Sequence, residues 1–193
     1  AVGFFISDHP LNQFKDIFED YNINEYDKFM SNEATKDTNI AVTLLKIHER
    51  KTSKGNSYAV LKLSDLSSVF ELFIFSDLLE LNREILKEGN SFILTIIKSN
   101  LSEDNRFKRV NVQKIVSLKE LINRPIKEVI FKIKSLKEIN EISKFLSNEG
   151  ETIIKIDIKN ENDNLSFELK NKRNLDRKSL NLIRNKEISA FIS

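Results

Sequence analysis

Cysteine and tryptophan are absent from this chain of 193 residues, proline and histidine each occur twice, and glycine occurs four times. Without cysteine there is no disulfide framework, no thiolate zinc or iron–sulfur site and no cysteine nucleophile. His9 and His48 lie too far apart in sequence to supply a histidine-rich metal site by themselves. Gly3, Gly55, Gly89 and Gly150 are isolated, so neither common glycine-rich phosphate loop can be written. Long apolar runs are missing as well. The opening Ala1 to Ile6 run gives way at once to Ser7, Asp8 and His9, too short for a signal segment. Nothing approaches the roughly 18 apolar residues of a membrane-spanning helix. These absences fit a cytoplasmic protein with no membrane partner. The chain opens on Ala rather than Met, which fits a processed product or a piece of something longer.

What is present has the balance of a globular protein, 40% hydrophobic and 31% charged residues. The 31 basic and 29 acidic side chains are unevenly placed: residues 1–37 carry a net −5, residues 38–117 a net +3 and residues 118–193 a net +4. The basic excess is mild. Abundant Lys, Asn, Ile and Phe fit an AT-rich genome, so a lysine alone marks no site.

Residues 1–37 read as a helical lead-in. Pro10 suits a first helical turn, and Leu11, Phe14, Ile17, Phe18 and Tyr21 form one apolar stripe. An acidic connector follows. Residues 38–118 change period: strands are expected over 39–49, 57–63 and 69–75, then a helix capped by Ser76 or Asp77, lined by Leu78, Leu81, Ile85 and Leu86 and stopped at Gly89, then strands over 91–99 and 109–117. Three strands, a helix and two strands in that length is the element order of an OB-fold, a five-stranded β-barrel of Greek-key type. After Asn123-Arg124-Pro125, residues 125–193 read as a small split α/β (βαββαβ) domain. Its first helix is opened by a Ser135-to-Glu138 capping box, carries Leu136, Ile139, Ile142, Phe145 and Leu146 on its apolar face and ends near Gly150, and Asn160 to Asn164 form a hairpin turn. The expected fold class is therefore α+β.

At this point particular residues become informative. The segment Ala1-Val2-Gly3-Phe4-Phe5-Ile6-Ser7-Asp8-His9-Pro10-Leu11 resembles a stretch near the C-terminal third of the bacterial DNA polymerase III alpha subunits, where it closes the clamp-binding region and leads into an OB domain. The OB candidate follows at the expected distance, keeping Thr52, Lys54-Gly55, Leu63, Asp65, Glu71, Phe75 and Leu86-Lys87-Glu88-Gly89. The resemblance covers about residues 1–118; residues 125–193 fall where that family has a tail domain. Departures are Asp8, Ser67-Ser68 and the neighbourhood of Ile97, where the family tends to have glycine. The resemblance implies single-stranded DNA as ligand, the rest of the polymerase alpha subunit as partner, and the clamp-loader tau subunit as a possible partner of residues 125–193. It also implies that the catalytic aspartates and their Mg belong to a region preceding Ala1, so no cofactor and no active site are expected in this chain. A stand-alone OB-fold RNA- or tRNA-binding adaptor is the alternative, as is a decayed structural remnant.

An OB-fold binds single strands with basic loops and with aromatic side chains on its second and third strands. The first loop offers Lys46, Arg50, Lys51 and Lys54, and the loop after the fourth strand offers Arg106, Phe107, Lys108 and Arg109. If Ala59, Leu61 and Leu63 point inward, Tyr58 and Lys62 face out; if Glu71 faces out, so does Phe73. Tyr58 and Phe73 are the candidate stacking residues, the alternative being that they pack beneath a neighbouring domain. His9, beside Pro10, reads as a capping residue rather than a catalytic base, and His48 as a surface residue of the first strand.

Overall fold

An apolar run with β-branched residues, Ile40 to Leu45, lies at the heart of one long strand, and the rest of the first unit is arranged around it. The computed structural model describes residues 8–100, 108–159 and 164–192. The chain divides into two compact units, residues 1–122 and 123–193. In the first, β2 (Asp37–Lys51) is flanked on one side by β3 (Ser57–Ser64) and β4 (Val69–Phe75), and on the other by β5 (Ser91–Asn100) and β6 (Lys108–Ser117). The order β4-β3-β2-β5-β6 is antiparallel throughout. The two-residue strand β1 (Ile23–Asn24) adds in parallel to the start of β2.

The expected five-stranded barrel is not closed by hydrogen bonds. Edge strands β4 and β6 come near one another without forming a ladder, and helix α3 (Ser76–Asn82) packs against both. Leu79 of α3 is fully buried in the core with Val42, Leu44, Leu61, Leu72 and Leu94, so a helix fills the seam in place of a strand pair. The expected lining of α3 is corrected at Leu81, which is 82% exposed. Neither Ser76 nor Asp77 caps it: the N-cap is Phe75, with no side-chain bond. Gly89 does not end this helix but takes φ +87° in the turn into β5, where its N–H donates to the Leu44 carbonyl at 2.7 Å.

The lead-in is a succession of short pieces rather than one helix: a 3-10 turn Pro10–Phe14, α1 (Lys15–Phe18), β1 and α2 (Tyr26–Ser31). Leu11, Phe14 and Ile17 are buried against Ala41, Ile93, Leu118 and Leu121, the last two on α4 (Leu118–Asn123). They cover the outer face of the first half of β2 and of β5, each buried side chain contributing roughly 2 kcal/mol. His9 precedes the 3-10 turn and caps it. Its Nδ1 accepts the Leu11 N–H at 3.1 Å and its Nε2 lies 2.9 Å from Ser64 Oγ, which in turn donates to the Asp65 carbonyl at 3.1 Å. With Nδ1 accepting, Nε2 must carry the proton, so this Ser–His pair cannot work as nucleophile and base.

Burial lowers the His9 pKa from its ordinary value of 6.5, against the opposing charges of Asp65 and Asp8. Folding therefore favours the neutral ring. That stabilisation is complete above about pH 6.5 and is lost as pH falls through the lower folded-state value. The urea midpoint of the first unit should drop between about pH 7 and pH 5, and His9→Gln should flatten that dependence. A midpoint equally pH-dependent in the variant would assign the effect elsewhere.

In the second unit, β7 (Glu128–Ile133) and β8 (Ser147–Lys159) pair in parallel around α5 (Leu136–Ser143). The strands β9 (Asn164–Glu168) and β10 (Arg173–Asn174) lie antiparallel to β8, and β11 (Ser189–Ile192) lies antiparallel to β7. Helix α6 (Arg177–Arg184) connects β10 to β11. Val129, Phe131, Ile142, Ile154, Ile156, Leu180 and Ile183 form its core. The order strand, helix, strand, strand, helix, strand is as expected, with β10 added. The expected hairpin turn at Asn160 to Asn164 lies outside the described residues except for the last. Three local expectations are corrected. Leu136 is 75% exposed rather than on the buried face. Glu138 reaches back to the Lys134 N–H at 3.0 Å while Ser135 makes no side-chain cap. Gly150 lies in β8, beyond the end of α5 at Ser143.

Candidate nucleic-acid interface

A β-bulge decides which residues of β2 face outward. Ile40, Val42 and Leu44 point into the core, and the register of β2 on β3 then slips between Leu44 and Lys46. One extra residue reverses the parity of everything that follows. Ile47 consequently packs toward the core, and Lys46, His48 and Arg50 are turned outward and exposed.

Beyond the bulge the outer face is built in rows. Arg50 pairs with Tyr58, which pairs with Phe75; His48 with Val60, which pairs with Phe73; Lys46 with Lys62, which pairs with Glu71. Ala59, Leu61, Leu63, Leu72 and Ile74 occupy the alternate, buried positions, so Tyr58, Lys62 and Phe73 face outward as expected. The Tyr58 and Phe73 rings lie 6.5 Å apart, tilted by 34°. Phe73 is 42% exposed and Phe75 48%. Phe75 was not among the candidates, although the alternation that puts Glu71 and Phe73 outward extends to it.

The remaining basic candidates lie around this face. Lys51 is the last residue of β2 and by alternation falls on the side opposite Arg50, so β2 absorbs most of the expected first loop. Lys54 is exposed in the short turn that follows, where Gly55 takes φ +84°. At the other loop, Lys108 and Arg109 belong to the start of β6, paired with Asn100 and Ser99, rather than to the loop itself. Arg106 and Phe107 lie outside the described residues. The tip of β2 is tied to the end of α3. Arg83 donates to both carboxylate oxygens of Glu49, at 2.7 and 2.8 Å, and to Glu80 at 3.1 Å. Both contacts to Glu49 come from one guanidinium nitrogen, Nη1, while Nη2 serves Glu80, so Arg83 bridges the two carboxylates.

At the opposite end of β3 the turn to β4 is held by Asp65. Its Oδ1 accepts from the Ser67 N–H, the Ser67 hydroxyl and the Ser68 N–H at 2.7–2.8 Å, and its Oδ2 accepts the Tyr26 N–H at 2.7 Å. Neither serine takes a positive φ, so the turn is made without glycine. Among the described residues no cluster of His, Asp or Glu could hold a metal ion, and no helix is long and apolar enough to cross a membrane.

Chemically, this arrangement offers aromatic rings beside the basic side chains Lys46, Arg50 and Lys62 on one outer sheet face. No protein-family model matches the chain. Among curated proteins it is similar to the DNA polymerase III subunit alpha of Rickettsia conorii, 28% identical over 153 residues, and to that of Rickettsia bellii, 37% identical over 90 residues. The first match covers 76% of this chain and 12% of the relative; the second covers 46% and 7%. The subunit of Rickettsia felis is 27% identical over 153 residues. The chain thus spans about an eighth or less of the length of the relatives it matches, in their C-terminal regions. The resemblance drawn from the residues is borne out, and it ties the chain to a polymerase-related region.

Proposed function

We propose that this chain, which resembles the C-terminal region of DNA polymerase III alpha subunits, is a non-catalytic binding region that serves chromosomal replication. Its first unit works as an OB-fold that guides single-stranded template. The strand order β4-β3-β2-β5-β6 with α3 at the seam supports that reading, since an OB barrel is partly open. The observation that carries the function is the outer face beyond the bulge, where Lys46, Arg50 and Lys62 adjoin half-buried Tyr58 and exposed Phe73. Lys51 and Lys54 border it, and Arg106, Phe107, Lys108 and Arg109 complete the proposed contacts. The second unit contacts another replisome subunit, the clamp-loader tau subunit among the candidates, and the natural setting of both units is the rest of an alpha subunit in the cytoplasm.

Binding should be sequence-tolerant and salt-sensitive, because cations and π-faces recognise any single strand. Titrating the full chain into a labelled single-stranded oligonucleotide by fluorescence anisotropy should give saturable binding that weakens steeply with salt. Reversing charge at Lys46, Arg50 and Lys54 together should abolish it. No binding of the unaltered chain at about 50 mM salt would dismiss the reading.

A further inference from the structure

The second unit, residues 123–193, carries 15 basic and 11 acidic side chains. Its whole excess lies in nine consecutive residues, Lys170 to Lys178, which hold five cations and the single carboxylate of Asp176. The rest of the unit is balanced, with ten of each sign. Several cations outside the segment are matched within the fold: Lys155 lies 2.7 Å from Glu128, and Lys144 and Lys186 both donate to Glu141. Inside it, Lys172 stands 3.6 Å from Glu151 with both side chains more than half exposed, a pair of the kind that contributes little. β8, on which β10 lies, also carries Glu149, so two acids offset part of the excess and leave it positive. The segment runs from the end of β9 through β10 into α6, and Arg177 and Lys178 open that helix with no acidic residue in its first turn. The N-terminal end of a helix carries positive partial charge, which favours carboxylates there and disfavours cations. Asp176 relieves part of this conflict from the N-cap, where it accepts the Ser179 N–H at 2.7 Å. Lys170, Lys172 and Lys178 are exposed and add nothing to the core. Cations placed against the local electrostatics, with no gain in packing, mark a surface kept for a ligand.

What the segment shows to solvent decides the ligand. Beside the three lysines, the amides of Asn171 and Asn174 are exposed, while Arg173 and Arg177 are half-buried. Its one apolar residue, Leu175, is buried, and it contains no aromatic residue. Ammonium and amide donors without a ring serve phosphate oxygens and offer nothing to a base face. A duplex presents that chemistry, with one negative charge per about 1.7 Å of axis and its base faces stacked out of reach. An acidic protein segment would need apolar anchors as well, and the nine residues expose none. We propose that Lys170 to Lys178 is a second nucleic-acid contact, which holds the phosphate backbone of a DNA duplex through Lys170, Lys172 and Lys178 without regard to sequence. It belongs to the second unit and does not depend on the single-strand reading of the first.

The test uses the full chain and two labelled probes, a mixed-sequence duplex of roughly 20 base pairs and an oligodeoxythymidine of about 12 nucleotides, read by fluorescence anisotropy. Lys170→Gln, Lys172→Gln and Lys178→Gln together should weaken the duplex about ten-fold or more and reduce the slope of log affinity against log salt by about 2 to 3. Thymidine affinity should change less than about two-fold. The same three lysines replaced by Arg should bind duplex like wild type. Lys134→Gln, Lys137→Gln and Lys159→Gln together remove the same charge from exposed positions of the same unit and should leave duplex affinity within about two-fold. Unaltered urea midpoints will show that each variant is folded. Equal loss in the two Gln variants would reduce the effect to net charge and overturn the site. So would equal weakening of both probes, duplex affinity unchanged in the first variant, or no duplex binding by the unaltered chain at about 50 mM salt. A labelled hexaglutamate peptide that binds more tightly than the duplex at the same salt would assign the segment to an acidic protein partner instead. If the thymidine probe alone fails to bind while the duplex behaves as stated, the single-strand reading of the first unit falls and the duplex site stands.

Discussion

Asp65→Asn should release helix α2 while leaving the β3–β4 turn in place. The two oxygens of this carboxylate, which is only 4% exposed, serve different elements. Oδ1 holds the turn through Ser67 and Ser68, and Oδ2 holds the Tyr26 N–H at the first turn of α2. An asparagine can keep Oδ1 as acceptor for the turn, which leaves its NH2 facing the Tyr26 N–H, donor against donor. A buried charge-assisted bond is then replaced by an unpaired amide, at a cost of about 2–3 kcal/mol. Asp65→Ala leaves donors unpaired at both elements and should cost more, about 3–5 kcal/mol. Urea unfolding reads the magnitude, and amide hydrogen exchange reads the place: faster exchange should appear over Tyr26–Ser31 in the asparagine variant, and over Asp65–Ser68 as well only in the alanine variant. An asparagine variant within about 0.5 kcal/mol of wild type would refute the division of labour.

The consequence extends into the core of the first unit. Tyr26 stacks on Phe70 of β4 with ring centroids 3.7 Å apart, and Phe29 is buried with the main core residues. Lys98 of β5 donates to the carbonyls of Phe29 and Asn32 and places its ammonium 4.2 Å above the Phe29 ring, securing the C-terminal end of the same helix. Helix α2 is thus pinned at its start by Asp65 and at its end by Lys98. Freed, it would uncover Phe70, which stands on the same strand as Phe73 and Phe75. A protein loosened here should gain nonspecific stickiness before it loses the outer platform.

How much of this was legible in the sequence depends on what kind of signal each feature leaves. Strands β3 and β4 announce themselves by alternation, because one face of each is buried and a period of two leaves no ambiguity; β2 and β5, covered on both faces over much of their length, read instead as short apolar runs. The outward placement of Tyr58, Lys62 and Phe73 follows from the same rule. The bulge at Leu44–Lys46 does not, since an inserted residue in a strand has no composition of its own; Lys46 and Arg50 were read as loop residues when they are strand residues turned outward by it. The lead-in was read as one helix because a stripe at spacings of three and four looks the same whether it serves one helix or a 3-10 turn followed by a short helix. Leu81 and Leu136 show the complementary error, in which an apolar residue at helical spacing is counted as core although the helix is too short to bury both its ends. Asp65 was noticed only as a residue kept by the resemblance. Its role needs α2, 39 residues away in sequence, to be in place.

Gly150 concentrates the same lesson in one substitution. Read along the chain it is a helix stop; in space it lies in β8, under the backbone of β10. A Cβ added there would stand 2.2 Å from the Asn174 amide nitrogen and 2.3–2.4 Å from the Arg173 carbonyl group, distances that no rotamer change can relieve because the obstructing atoms are main chain. The register of β10 on β8 is already irregular between Arg173 and Asn174, so the strand is held by few bonds and will be the part that moves. It cannot move alone. Leu175 follows at once and is buried in the core, and Asp176 caps α6 by accepting the Ser179 N–H at 2.7 Å, a bond that holds its carboxyl below the usual range. Displacing β10 therefore pulls on Leu175, Leu180 and Ile183 together. Gly150→Ala should cost about 3 kcal/mol or more, at the upper end of overpacking, and lower the melting temperature of the second unit by more than about 10 °C. Gly55→Ala makes the contrast: its φ of +84° is strained for any side chain, but nothing lies within 4 Å, so about 1 kcal/mol is expected, confined to the first unit. If calorimetry found Gly150→Ala no less stable than wild type, the close approach of β10 to β8 would be wrong, and with it the account of how the two-residue strand positions α6.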